Sequence, residues 1–144
     1  MKEFETLHLV KGEDLNHHGT LFAARAAAWL VEAGFATVAC EHGNPDEIVM
    51  RNLQNMSFSK PVKKGSVVKF AGRVVYAGKT SLIVAVTAQD AISGEAAIEG
   101  YITFVTIDSD TGKAKPHQVV LDSTTDEEEK RKREKAQQLI QHRI

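Results

Sequence analysis

Glu32 is the only acid, and Arg25 the only base, in a stretch of chain that otherwise carries apolar and small residues from Gly19 to Cys40. The stretch is rich in Ala and Leu and holds no Pro, so it predicts a helix, apolar on almost every side and therefore buried. An unpaired carboxylate in such a place costs several kcal/mol, about the free energy of a lost ion pair. Two readings of Glu32 follow. It sits at the open edge of the helix or pairs with Arg25, or it faces a cleft and works as a general base or nucleophile. The loop Asp14-Leu-Asn-His-His-Gly19 runs straight into this helix. Asn16, His17 and His18 can supply hydrogen-bond donors near the helix start, where the dipole favours developing negative charge. The plainer reading is that Asn16 shapes a turn and both histidines are solvated. Two adjacent histidines make a poor metal pair: on an extended loop their side chains point apart, and no third ligand is in view.

The elements that must hold these groups can be read from the pattern. Glu3 to Val10 alternates as a short strand. His42 to Glu47, with Gly43, Asn44 and Pro45, is a turn. Four strands follow, at Ile48–Phe58, Ser66–Ala77, Thr80–Asp90 and Ala96–Ile107. The third contains the unbroken apolar run Leu82 to Val86, which predicts a central position. Gly78-Lys79 and Ser93-Gly94 turn the chain between strands, and Asp108 to Lys113 forms a last polar turn. One long helix followed by an antiparallel meander is the pattern of an α+β fold in which a sheet wraps a helix. The tail, residues 121–144, is a separate charged helical segment after a domain spanning 1–120. Thr125 and Glu128 have capping-box spacing, and Glu127 to Glu129 precede Arg131 to Arg133 by four residues, as expected of a solvated helix.

Composition narrows the function classes. The 144 residues fit one domain, and 42% are hydrophobic, enough for a core. A net charge of −1 gives no general attraction to nucleic acid or anionic membrane. No run of 18 apolar residues occurs, so no membrane span is expected. The single cysteine, Cys40, excludes an internal disulfide and fits a reducing cytoplasm.

Asn16-His-His-Gly-Thr-Leu-Phe22, the Ala-rich helix, Asn55-Met-Ser-Phe-Ser-Lys-Pro-Val62 with Gly65, Gly78-Lys-Thr-Ser81 and Tyr101-Ile-Thr-Phe-Val-Thr-Ile107 occur in that order. Over roughly residues 4 to 118 this series resembles the acyl-CoA thioesterases of the hot-dog superfamily. The similarity is to the branch of bacterial broad-range and animal cytosolic acyl-CoA hydrolases. The resemblance implies a hot-dog fold, an antiparallel sheet around one long helix. It also implies hydrolysis of an acyl-CoA to free acid and CoA by acid-assisted attack of water. Subunits are expected to pair into a homodimer, assembled further into a tetramer or hexamer, with the Asn loop and the helix acid supplied by opposite subunits. It assigns Glu32 and Asn16 to catalysis. It assigns His18, Gly19 and Ala24 to the oxyanion and substrate, with backbone N–H groups at the helix start as donors. Lys79, Ser81 and Lys60 are assigned to the CoA phosphates, with Lys63 and Lys64 behind them. Leu21, Phe22, Trp29 and Phe58 are candidates for lining the acyl tunnel, although Trp29 also reads as plain core. No metal and no cofactor is expected beyond the CoA of the substrate, and no nucleic acid or membrane partner.

Two departures from the family pattern stand out. The family's Gly-Gly pair is Ala23-Ala24. Its acid lies twelve residues after the motif glycine, a position held here by Val31, and Glu32 is one residue further, a rotation of about 100° on a helix. Two alternatives therefore accompany the thioesterase reading. One is an acyl-CoA-binding protein without turnover. The other is an enoyl-thioester hydratase, whose Asp-x-Asn-x-x-His motif is met by Asp14 and Asn16 but fails at Gly19.

Overall fold

The computed structural model describes residues 1–141. The elements run β1 (Phe4–Leu9), α1 (Ala23–His42), β2 (Ile48–Phe58), β3 (Val67–Ala77), β4 (Ser81–Asp90), β5 (Ala96–Thr106) and α2 (Glu127–Gln141). Short 3-10 turns at Gly12–Asp14 and Pro45–Glu47 flank α1. The five strands form one sheet in the order β1-β3-β4-β5-β2, with every neighbouring pair antiparallel. β4 is the central strand, and its run Leu82 to Val86 is buried throughout, as the unbroken apolar sequence requires.

α1 begins at Ala23, four residues later than its composition suggests. The intervening residues pair as extended chain. Leu21 N–H donates to Val62 O at 2.8 Å, and Thr20 and Leu21 form bridges with Lys63 and Leu15. Tertiary pairing here overrides local propensity. At the other end Gly43, at φ 90°, donates its N–H to Ala39 O at 2.8 Å and closes the helix in the left-handed region that glycine tolerates.

One face of α1 lies on the sheet. Ala26, Leu30, Ala33, Gly34, Thr37 and Val38 are buried, with the three- and four-residue spacing of a single helix stripe. The opposite face, with Ala24, Ala28, Glu32 and Cys40, is exposed. The expectation of a helix buried all round is therefore not met within one chain. By length and composition α1 could cross a membrane, but it serves here as the core helix of the sheet.

Helix and sheet approach closely where residues are small. A Cβ added at Gly72 of β3 would stand 2.2 Å from Thr37 Oγ1, and Thr37 is held by its own bond to Ala33 O at 2.8 Å. Gly72→Ala is expected to destabilise the fold by about 1–3 kcal/mol. Adding Thr37→Ala should restore part of that loss, and urea denaturation of both variants checks it. If Thr37→Ala deepens the loss instead, the two side chains do not compete for this space.

The tail departs from the sequence reading. α2 packs on the far face of the sheet, where Ala136 joins Val75, Ile83, Ala85 and Tyr101 in a second buried cluster. Its helix is capped one residue later than Thr125 and Glu128 suggest: the Asp126 carboxylate accepts from Glu129 N–H at 2.8 Å. Between β5 and α2 the chain makes the expected turn at Asp108–Lys113, then runs extended along the end of the sheet. Val119 and Leu121 from this run pack against the main core.

Candidate functional site

The loop before α1 is organised around Asn16. Its Oδ1 accepts from His18 N–H at 2.9 Å and from Thr20 N–H at 3.2 Å, and its Nδ2 donates to Thr20 Oγ1 at 3.1 Å. Asn16 O also accepts from Gly19 N–H at 3.1 Å, and Gly19 takes φ 80° to close the turn. The carboxamide thus shapes the turn first. His17 and His18 are exposed, with their rings 3.9 Å apart.

The same bonds decide which backbone donors remain. His18 and Gly19 have spent their N–H groups inside the turn. Phe22 N–H goes to Asp14 O at 2.8 Å, and Ala26 N–H is the first to find a helical acceptor, Phe22 O. Ala23, Ala24 and Arg25 are left with no acceptor among the described residues, no side chain caps the helix, and no acid lies in its first turn. A 20-residue helix therefore presents three bare N–H groups and the positive end of its dipole. Of the three residues expected to meet an oxyanion, only Ala24 has its donor free. Arg25 adds a cation beside them. It is tethered to Asp14, Nε to Oδ1 at 3.4 Å, rather than to Glu32. Asp14 is buried and also accepts from Lys11 N–H at 2.8 Å, which makes it the anchor of the loop. Sequence reading missed that role, although an acid three residues after Lys11 is a turn-forming spacing.

Glu32 is exposed and has no ion-pair partner among the described residues. It stands eight residues beyond Ala24, about 12 Å along the helix axis. One chain therefore does not bring Glu32 to the bare helix end or to Asn16. Val31 is half-buried and packs against the core.

The basic residues also divide. Lys60 forms an ion pair with Glu95, at the mouth of a cleft of about 330 Å³ lined by Val62, Lys63, Ser66 and Asp90. That cleft lies beside the chain segment that pairs with Thr20 and Leu21. Lys79 and Ser81 occupy the opposite end of the sheet, roughly 33 Å away along the eleven residues of β3. Their turn is pinned by His117, which donates N–H to Lys79 O at 3.2 Å and holds Ser81 O through Nε2 at 3.0 Å. Nothing in the sequence pointed to His117, because it reaches the turn only through the extended tail. Of the residues considered for an acyl tunnel, Leu21 is core, Phe22 and Phe58 are exposed, and Trp29 is half-buried with its ring stacked 4.3 Å from His8. Among the described residues no three His, Cys, Asp or Glu side chains are grouped to hold a metal.

Residues 18–97 match the Thioesterase superfamily. The chain belongs to that superfamily. Its sheet-around-helix architecture is the hot-dog fold of the solved structures it resembles. An acyl-CoA hydrolase from Staphylococcus aureus, solved with butyryl coenzyme A, coenzyme A and coenzyme A disulfide, superposes with a TM-score of 0.84 at 28% identity. The match covers 96% of this chain and 82% of that one. An acyl-CoA hydrolase from Bacillus cereus superposes at 0.83 with 25% identity, over 98% and 85% of the two chains. A hexameric acyl-CoA thioesterase superposes at 0.81 with 28% identity, over 96% and 88%. A comparison with curated proteins found no match. The Staphylococcus aureus enzyme has also been solved as alanine variants of an Asn and an Asp that lie fifteen residues apart. Fifteen residues after Asn16 this superfamily member carries Val31.

Proposed function

We propose that this superfamily member hydrolyses acyl-CoA thioesters in a site assembled from two copies of the chain. The observation that carries the reading is the bare start of α1, beside the Asn16 turn, in a chain built like acyl-CoA hydrolases. Ala23, Ala24 and Arg25 N–H groups receive the thioester carbonyl oxygen and stabilise it as charge develops. The missing acid comes from a second copy. β2 is an edge strand with Val49, Met50 and Phe58 exposed, so two copies can pair their sheets there about a two-fold axis. That axis reverses one α1 against the other, and sets the start of one helix alongside later turns of its partner. It likewise turns the Lys79–Ser81 end of one sheet toward the Lys60 end of the other.

In this arrangement Glu32 takes a proton from water as the water oxygen attacks the carbonyl carbon. The tetrahedral intermediate then collapses with cleavage of the C–S bond. The proton returns to the CoA sulfur, and the products are free acid and CoA. Coenzyme A enters as part of the substrate, and the reaction uses no further cofactor. Lys79, Ser81 and Lys60 meet its phosphates, with Lys60 released from Glu95. Asn16 is a positioning residue that holds the turn and offers its second Nδ2 hydrogen to the substrate.

Release of free thiol from a panel of acyl-CoAs tests this. Glu32→Gln is expected to lower kcat/KM about 100-fold, the usual magnitude for loss of a general base. A smaller and separable effect is expected for Asn16→Ala, which loosens the turn and raises KM. Val31 favours one other reading, a protein that binds acyl-CoA without turning it over. A wild type that binds CoA esters yet releases no thiol at any chain length would establish that reading and end the hydrolase proposal.

A further inference from the structure

The turn between β3 and β4 has its backbone polar groups sorted by sign. Thr80 O accepts from Thr106 N–H at 2.8 Å, and Lys79 O accepts from His117 N–H at 3.2 Å. Ser81 O accepts from Gly78 N–H at 2.9 Å and also meets His117 Nε2 at 3.0 Å. The state of that ring follows from its other nitrogen. Nδ1 accepts from Val119 N–H at 3.2 Å, so the hydrogen of the neutral imidazole sits on Nε2 and is donated to Ser81 O. All three carbonyls from Lys79 to Ser81 are thus engaged. The N–H groups of Lys79 and Thr80 have no acceptor among the described residues. The Lys79 side chain is exposed beside them. Bare amides and a cation, with the carbonyl dipoles occupied, make a donor-only surface of the kind that anions bind.

We infer that His117 is a positioning residue for substrate binding: it holds Lys79 O and Ser81 O inward, so that the turn offers only donors to the phosphates of CoA. The inference rests on the reading of Lys79 and Ser81 proposed above, but not on turnover. His117 reaches the turn from the extended segment after β5, which is fixed on both sides of it. Before it, Lys115 N–H donates to Thr106 O at 3.0 Å, and Lys115 Nζ pairs with the buried Glu47 at 2.5 Å. After it, Val119 packs against the main core. A change at 117 therefore acts on the turn and leaves the segment in place. Without the ring, Ser81 O loses one of its two donors and Lys79 O keeps only a backbone partner. The turn can then rotate a carbonyl outward, and its partial negative charge opposes a phosphate.

Two measurements on the full chain test it. One is calorimetric titration with CoA, which needs no turnover. The other is thiol release from an acyl-CoA and from the matching acyl-pantetheine, which lacks the nucleotide and its phosphates. His117→Leu is expected to weaken CoA binding about tenfold and to raise KM for acyl-CoA to match, the usual size for one hydrogen bond serving a charged group. Its kcat, and its KM for acyl-pantetheine, should stay within about twofold of wild type, because only the phosphate contacts are disturbed. His117→Gln keeps an N–H donor for Ser81 O and should restore CoA affinity to within about threefold. A His117→Leu variant that binds CoA like wild type overturns the inference. So does one that loses acyl-CoA and acyl-pantetheine alike, as a loosened fold would. Lys79→Ala separates the two levels of the argument. If it weakens CoA binding while His117→Leu does not, the turn binds phosphate but His117 does not position it. If neither variant changes CoA affinity, the phosphates bind elsewhere, and the reading of the turn falls together with the inference.

Discussion

Glu129→Ala is expected to destabilise the protein by about 3–5 kcal/mol, the cost of breaking a buried ion pair from one side. Glu129 is 4% exposed. Its carboxylate accepts from the Met1 ammonium at 2.9 Å, Arg73 Nη1 at 2.7 Å and Arg133 Nη2 at 2.5 Å. Asp122 and Glu3 share all three of these cations: Asp122 lies 3.0 Å from the Met1 ammonium and 2.9 Å from Arg133 Nη2, and Glu3 lies 3.0 Å from Arg73. Three positive groups thus converge on one carboxylate, and its removal leaves them facing one another under α2. The loss should fall on the seat of α2 over Val75, Ile83, Ala85 and Tyr101.

The same site gives stability a pH dependence of known sign. Burial alone pushes the Glu129 carboxyl up, but hydrogen bonds from the Met1 ammonium, Arg73 and Arg133 outweigh it and hold the group at about 2, against an ordinary value of 4.5. A depressed value in the folded state means that the stabilisation is complete above pH 4.5 and fades as pH falls toward 2. Urea denaturation of wild type and Glu129→Gln should therefore show a gap that is constant from pH 7 to 5 and shrinks below 4. A gap that stays the same at pH 3 would mean that the carboxylate charge is not what holds α2.

Much of this architecture is legible in the sequence, and the failures share one cause. The five strands, the Gly43 stop of α1 and the central place of β4 follow from local pattern alone. The start of α1 does not, because Thr20 and Leu21 are claimed by Val62 and Lys63, forty residues on. The seat of α2 was hidden for the same reason. Read locally, Glu127 to Arg133 is a solvated charged helix; Glu129 becomes a buried anchor only because Arg73 and Met1 meet it from other elements. Arg25 looked like the partner of Glu32, but Asp14 lies closer in the folded loop. The candidate site shows the same division. The Asn16 turn is local and can be read from the sequence as a turn, whereas its use of the His18 and Gly19 donors is visible only in three dimensions. Apolarity on every side of α1 also has a different meaning from the one local reasoning gave it. The sheet covers one face, and the exposed Ala24–Ala28–Glu32 face is the one that the proposed second copy would meet.

Phe104→Ala should be comparably damaging, at about 3–5 kcal/mol, with a melting temperature lower by roughly 10 °C. Phe104 is fully buried in β5. Its ring meets Phe35 edge-on, 6.2 Å between centroids and 68° between planes, and stands 3.5 Å from where a Cβ on Gly34 would lie. It therefore supports α1 just beyond Glu32. Truncation opens a cavity lined by apolar side chains, which stays dry and can accept a small apolar guest. Benzene should raise the melting temperature of Phe104→Ala and leave that of wild type unchanged. Function separates two ways in which the helix can respond. If α1 keeps its place, the full stability loss appears and thiol release well below the melting temperature stays near wild type, because the bare N–H groups of Ala23 to Arg25 lie about 15 Å away along the axis. If the loss is under about 1 kcal/mol, α1 has moved to fill the gap. Glu32 then moves with it, and kcat should fall although no residue of the proposed site has been changed.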